Sequence, residues 1–150
     1  MPHLKFVIEM NTEFKYYIVE AIPRIFAGVI FLTQGYDKLF NVKINGVVDY
    51  FMIESKDRAV PKILLKFMAG FSSIIEFAGG LFLILGLLKN ETLTLFGLDL
   101  IFVAIAFSYM NPVWDMKHVY PRLILVLLLF VMPNNWCRFS LDYLISVLKF

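Results

Sequence analysis

The sequence has almost none of the residues that disulfide and metal chemistry need. Cys137 is its single cysteine, which excludes an internal disulfide, a Cys-x-x-Cys pair and a cysteine-bound zinc site. The two histidines, His3 and His118, lie far apart in the chain, which argues against a haem held by two histidines of this chain. No metal site is therefore predicted.

Charged residues are also scarce. Asp, Glu, Lys and Arg make up 17% of the 150 residues and hydrophobic residues make up 60%, whereas a soluble domain has about 25% charged and about 45–50% apolar residues. This composition argues against a soluble domain, and against a disordered chain, which needs low hydrophobicity. The net charge of +2 gives no basic surface for nucleic acid, so the predicted partner is the lipid bilayer.

Long apolar stretches are what the sequence does contain. A membrane-spanning helix needs about 20 mostly apolar residues, and the candidates are residues 16–35, 63–88, 92–110 and 119–136. Too little polar chain remains to enclose four such helices in a soluble core. The sequence predicts an all-α integral membrane four-helix bundle, a single domain over residues 1–150. Four spans place both termini on the same side of the membrane, and the evenly divided positive charges give no orientation.

The segments between and after these stretches predict smaller elements. The long first loop, Tyr36–Lys62, contains an apolar run at Val47–Ile53 that predicts a short surface helix. Lys89–Glu91 is predicted to be a tight turn between the second and third spans. Ser140 is positioned to cap a short amphipathic helix at Leu141–Phe150, which is expected to lie on the membrane or on the bundle.

Charged residues inside the apolar stretches need partners or a purpose, because each costs at least about 2.5–3.5 kcal/mol in a bilayer. Arg24 and Glu76 share helix faces with small residues, which let membrane helices approach closely and so place these charges inside the bundle. We predict an intramembrane polar cluster of Arg24, Glu76, Asp99, Glu20 and Gln34. The predicted helix-packing residues are Gly28, Gly35, Gly79, Gly80 and Gly86. Such a cluster can fix helix register or serve a function, and both hypotheses stay open.

Two segments carry a family resemblance. Arg24–Phe40 (RIFAGVIFLTQGYDKLF) and Glu76–Leu88 (EFAGGLFLILGLL) resemble the DoxX family of small four-helix prokaryotic membrane proteins. That family has an arginine, a glycine and a G-x-x-K-L ending in its first span, matched here by Arg24, Gly28, Gly35, Lys38 and Leu39. Its second span has a glutamate, small residues and a late glycine, matched by Glu76, Gly79, Gly80 and Gly86. Its terminal S-L-D is matched by Ser140–Asp142, although Asn135 and Cys137 stand where the family usually has glycines.

The resemblance implies a location and a functional context. It implies a multi-pass protein of the prokaryotic cytoplasmic membrane that works beside a quinone-linked oxidoreductase. The predicted function is an accessory subunit of a membrane redox or respiratory complex, with a larger membrane protein complex as partner. Catalysis is not expected and no intrinsic cofactor is predicted, while contact with a quinone or a lipid remains open. The alternatives are a minimal transporter or membrane-embedded enzyme that uses the polar cluster, and a purely structural docking subunit.

Overall fold

The described part of the chain is entirely helical. A computed structural model describes residues 2–54, 60–110 and 119–148, and within them there are helices and turns but no strands. The prediction of an all-α protein is confirmed. The helices are α1 (Pro2–Tyr36), α2 (Lys43–Glu54), α3 (Lys62–Leu85), α4 (Lys89–Met110), α5 (Tyr120–Val131) and α6 (Leu141–Leu148). A π-helical turn, Asp37–Asn41, follows α1, and a 3₁₀ turn, Asn134–Trp136, follows α5.

Three of the described helices are long and apolar enough to cross a membrane. They are Thr12–Asn41, which joins most of α1 to the π-helical turn, then α3, then Lys89–Ser108 of α4. These three correspond to the first three predicted spans. The helix α1 begins at Pro2, well before the predicted start of the first span at Tyr16.

The predicted fourth span, residues 119–136, is wrong in its extent. The helix α5 has 12 residues, about 18 Å of helix, whereas the hydrocarbon core is about 30 Å thick. Met132 has an extended backbone, with ψ at 128°, because the ring of Pro133 disfavours helical geometry at the residue before it. Pro133 also lacks the amide hydrogen that would continue the helix.

The turn between α3 and α4 lies three residues earlier than predicted. Gly86, with φ at +67°, follows the last residue of α3, and Lys89 is already the first residue of α4. The amides of Gly86 and Leu87 donate to the carbonyls of Leu83 and Phe82 at 3.2 and 2.9 Å. This is a Schellman motif, which favours glycine because the left-handed conformation carries no penalty without a β-carbon.

The described part of the first loop contains a helix that packs on the bundle. The predicted short helix at Val47–Ile53 is confirmed and lies within α2. Val48 is buried and forms a small apolar core with Leu65 and Ala69 of α3. The loop therefore covers the first half of α3.

Glycines set the closest helix contact, which is between α1 and α3. A β-carbon on Gly28 would lie 2.8 Å from the carbonyl oxygen of Gly80, and one on Gly35 would overlap the backbone nitrogen of Phe77. Later positions on α1 meet earlier positions on α3, so the two helices are antiparallel. The backbones touch directly, as small residues permit in membrane helices.

The main apolar core joins α1, α3, α4 and α5. The ring of Phe31 stacks on that of Phe96 with centroids 3.9 Å apart. Gly79 leaves the room for Phe96, because a β-carbon there would lie 2.8 Å from its Cζ atom. The helix α5 adds Val126 and Leu129 to this core, so it packs on the bundle. The segment runs from Arg122, at the level of Glu76, back to Trp136, which stacks on Tyr16.

Candidate functional site

The first buried group of charges is named the Arg24 cluster and consists of Glu20, Arg24 and Lys89. The Arg24 Nε donates to both carboxylate oxygens of Glu20 at 3.1 Å. The two residues are one turn apart on α1, in the order that favours an ion pair. The Lys89 Nζ lies 3.2 Å from Glu20 Oε1. All three side chains are buried, so Glu20 joins α1 to the first residue of α4.

The Arg24 guanidinium also binds the main chain at two places. Its Nη1 donates to the carbonyls of Leu83 and Ile84 at 2.7 and 3.3 Å, and its Nη2 donates to the carbonyl of Phe139 at 2.6 Å. The last carbonyls of a helix have no partner within the helix and carry the negative end of its dipole. Arg24 therefore caps α3 and attaches the segment before α6 to the bundle.

The residues of the S-L-D motif meet the Gly86 turn at the same place. Asp142 Oδ2 accepts a hydrogen bond from the Leu88 amide at 2.7 Å, and the Asp142 amide donates to the Gly86 carbonyl at 3.3 Å. Ser140 Oγ accepts from the Tyr143 amide at 3.2 Å, so its predicted role as the cap of α6 is confirmed. A β-carbon on Gly86 would overlap Ser140 and lie 2.8 Å from Arg24 Nη1.

The second buried group of charges is named the Glu76 cluster and consists of Lys38, Ser72, Glu76, Asp99 and Arg122. Glu76 Oε2 lies 2.5 Å from the Lys38 Nζ, and Glu76 Oε1 lies 3.5 Å from Arg122 Nη1. Ser72 Oγ donates to Asp99 Oδ2 at 3.0 Å. Both carboxylates are buried near the middle of α3 and α4, and the two cations are partly exposed.

Local structure explains how Lys38 and Arg122 are placed beside Glu76. Lys38 belongs to the π-helical turn and lies three residues after Gly35, on the side of α1 that faces α3. Arg122 belongs to the first turn of α5, beside Pro121, which is favourable at the start of a helix. The Glu76 cluster thus joins the end of α1, the middle of α3 and the start of α5.

The single predicted polar cluster is therefore divided in the structure. Arg24 meets Glu20 and the end of α3, and it does not pair with Glu76. Glu76 is seven residues before Leu83 on α3, which is about 10 Å along the helix axis. Asp99 lies with Glu76, and Gln34 lies one turn before Lys38 on α1. The two positions differ because the glycine contacts set the register between α1 and α3.

Sequence reasoning did not assign Lys38 and Lys89 to either cluster. Both stand at the ends of apolar stretches, where a lysine is ordinary because its long side chain reaches water. Two signals were available for Lys38: the G-x-x-K-L ending of the family resemblance, and helical period, which places Lys38 on the same stripe of α1 as Arg24 and Gly35. Arg122, at the start of the predicted fourth span, was also left out of the predicted cluster. No sequence signal pointed to Lys89, because its contact with Glu20 depends on the exact position of the turn before α4.

Two buried acceptor atoms have no donor in the described part of the chain, and one of them belongs to the Glu76 cluster. Among the described residues, neither Gln34 Oε1 nor Glu76 Oε1 has a hydrogen-bond partner, although Arg122 lies at ion-pair distance from Glu76 Oε1. Chemically, such oxygens can accept hydrogen bonds from a small molecule or water. The described ranges contain no group of three or more His, Cys, Asp and Glu that could hold a metal ion.

Cys137 lies next to the Arg24 cluster. Burial raises the pKa of its thiol, and the negative charge of Glu20 adds to the rise, while Arg24 acts in the opposite direction. The thiolate is the reactive form of cysteine. The environment of Cys137 therefore keeps the thiol protonated and weakly nucleophilic at neutral pH.

We expect alkylation of Cys137 by iodoacetamide to be slow at pH 7. Because its pKa is raised, the rate should keep increasing at pH values where an unperturbed thiol has already levelled off. The measurement is the alkylation rate against pH for the folded protein in detergent, followed by mass spectrometry. The control is the same thiol in the unfolded chain. Identical profiles in the two states would contradict the assigned environment.

The fold and the two buried clusters define a class of protein. Three long apolar helices with internally paired charges are those of a small multi-pass integral membrane protein. The DoxX family model matches residues 20–110, more than half of the chain, and the match includes both carboxylates of the Glu76 cluster. The chain belongs to the DoxX family, as the sequence predicted. No curated protein and no solved structure matches it significantly.

Proposed function

We propose that this protein is an accessory subunit of a membrane redox or respiratory complex in the cytoplasmic membrane of a prokaryote. One observation carries the proposal: the fully buried Arg24 is used to build the fold. Four of the five N–H groups of its guanidinium donate to Glu20 or to a main-chain carbonyl. The redox context comes from the family resemblance.

Contacts between the two ends of the chain support a shared side for the termini. Phe14, early in α1, packs edge-on against Phe139 with ring centroids 6.1 Å apart. Tyr16 stacks on Trp136 at 4.7 Å. Tyr and Trp are enriched at membrane–water interfaces. We propose that these segments lie together at one surface of the membrane.

A quinone or lipid contact is part of this proposal. A shallow groove of about 490 Å³ runs along the outer face of α5. It is lined by Ile124, Leu127, Leu128, Val131, Met132, Pro133 and Trp136. Such a lining suits a hydrocarbon chain, either the acyl chain of a lipid or the isoprenoid tail of a quinone. The groove offers no polar group that would perform chemistry on either.

The Glu76 cluster favours a second candidate function, a minimal transporter or membrane-embedded enzyme. Its support is the buried acceptor Glu76 Oε1, which has no hydrogen-bond donor among the described residues. Buried polar atoms are normally hydrogen-bonded, so a molecule that carries hydrogen-bond donors is a suitable occupant. Intramembrane ionisable residues commonly mark substrate or proton pathways.

One purification distinguishes the two candidates. The protein is extracted from its native membrane in gentle detergent, and all proteins and small molecules that remain bound are identified by mass spectrometry. For an accessory subunit we expect stoichiometric redox subunits, retained equally by Glu76→Gln and by the control Glu91→Gln, which changes an exposed carboxylate. A small molecule that is lost only from Glu76→Gln would support the second function. A lone protein without either would contradict both.

A further inference from the structure

An exposed arginine is held between two tyrosines beside α6. The Arg138 guanidinium carbon lies 5.4 Å from the ring centroid of Tyr17 and 5.1 Å from that of Tyr143. Its Nη1 donates to the Tyr143 hydroxyl at 2.8 Å. Among the side chains that the structure describes, none forms an ion pair with Arg138, and the nearby carboxylate of Glu13 accepts a hydrogen bond from the Tyr17 hydroxyl at 3.1 Å. The cation is thus fixed in position without an ion pair to the described side chains.

The helix α6 is exposed along its whole length. All eight residues of Leu141–Leu148 are exposed, and its polar attachment is through Asp142 to the Gly86 turn. Leu141, Leu144, Ile145 and Leu148 share one face of this helix. Of the two positions that the sequence left open, on the bundle or on the membrane, the bundle does not cover this face.

The surroundings of α6 are those of a membrane interface. The stacked pair of Tyr16 and Trp136 lies immediately before it, and Phe139 packs edge-on against Phe14 and Tyr17. Amphipathic aromatic side chains concentrate at the level of the lipid headgroups. Short amphipathic helices lie in the same zone with the apolar face among the acyl chains.

We propose that Arg138 binds the phosphate of a phospholipid headgroup and that α6 lies in the membrane interface with its apolar face among the acyl chains. A guanidinium is suited to phosphate because its planar set of donors matches the phosphate oxygens. The two tyrosine rings orient the guanidinium while leaving donors free. This lipid contact is separate from the α5 groove, and it does not depend on the redox role proposed above.

Lipid retention tests the phosphate contact. The purified full chain is reconstituted in nanodiscs of phosphatidylglycerol and phosphatidylcholine, released in detergent, and weighed by native mass spectrometry. Because a hydrogen bond to a charged group is strong, we expect roughly tenfold less retained phospholipid for Arg138→Gln. The control Lys15→Gln removes an exposed cation near the same end of α1 and should retain the wild-type amount.

Three results would overturn this contact. One is equal retention by Arg138→Gln and wild type. Another is equal loss in Arg138→Gln and Lys15→Gln, since that would indicate general attraction to charge. The third is displacement of the lipid by millimolar inorganic phosphate with no dependence on the acyl chains, since the ligand would then be free phosphate.

Spin labels test the position of α6. Cys137→Ser gives a cysteine-free chain, into which a nitroxide is introduced at Leu144 or at Ser146, on different faces of α6. We expect the label at Leu144 to collide mainly with oxygen, which concentrates in the bilayer, and the label at Ser146 mainly with a water-soluble nickel complex. Two labels equally open to nickel would place α6 in water. If neither label collides with oxygen or with the nickel complex, α6 is covered by a protein partner.

Discussion

Replacing Arg24 with glutamine is expected to lower the free energy of unfolding by about 3–5 kcal/mol, the usual cost of removing one partner from a buried ion pair. The substitution removes the contact of Arg24 with both oxygens of Glu20, and Lys89 is then the remaining cation beside Glu20. It also removes the donors that satisfy the carbonyls of Leu83 and Phe139. The effect is large because one side chain joins α1, the end of α3 and the segment before α6.

The measurement is a denaturant titration in detergent micelles, with two comparison variants. Arg24→Lys keeps the charge but cannot reach acceptors on three sides, so it should recover only part of the loss. Lys15→Gln removes an exposed cation from the same helix and should change stability by less than about 0.5 kcal/mol. If Arg24→Gln were as mild as Lys15→Gln, the guanidinium would not be the structural centre of this end of the bundle.

Replacing Gly35 with alanine is expected to destabilise the protein by about 1–3 kcal/mol, the usual cost of overpacking. The added β-carbon would overlap the backbone nitrogen of Phe77, and a backbone atom cannot move aside as a flexible side chain can. Gly80→Ala should behave similarly, because its β-carbon would meet the backbone nitrogen of Leu32 and the carbonyl of Gly28. Either variant forces α1 and α3 apart.

A matched control substitution, Gly97→Ala, is expected to stabilise the protein. A β-carbon on Gly97 of α4 meets nothing within 4 Å, so Gly97→Ala should stabilise the helix by up to about 1 kcal/mol through the better helix propensity of alanine. Both substitutions are measured by the same titration in micelles. Equal effects at Gly35 and Gly97 would falsify the close approach of α1 and α3.

The features predicted correctly from the sequence are those that depend on residues close together in the chain. Apolar length predicted three of the helices. Helical period placed Arg24 and Glu76 on faces shared with small residues, and both side chains are buried in the structure, as is that of Asp99. The capping role of Ser140 followed from one polar residue before an apolar run. The end of α5 was missed because the apolar core Leu123–Met132 is too short to span alone, and the prediction extended it through Trp136 to reach spanning length. Pro133 ends the helix before that point.

The pairing of the charges could not be predicted in the same way. Helical period tells which face of a helix a residue occupies, but it does not tell how far one helix is shifted along another. Arg24 faces α3, yet it meets the level of Leu83 and not that of Glu76. Its partners are largely main-chain carbonyls, which every residue possesses and which therefore leave no trace in the sequence.

By itself the sequence determined the class of this protein: an all-α membrane protein of the DoxX family, with buried charges and glycines on helix faces. Only the tertiary structure decided that the charges form two clusters, one that builds the turn between α3 and α4 and one that surrounds Glu76. The physical reason is that hydrophobicity and period act within a helix, while the register between helices is set by contacts such as that of Gly35 with Phe77. Two helical turns along α3 separate the level of Leu83, where Arg24 binds, from that of Glu76, where Lys38 binds.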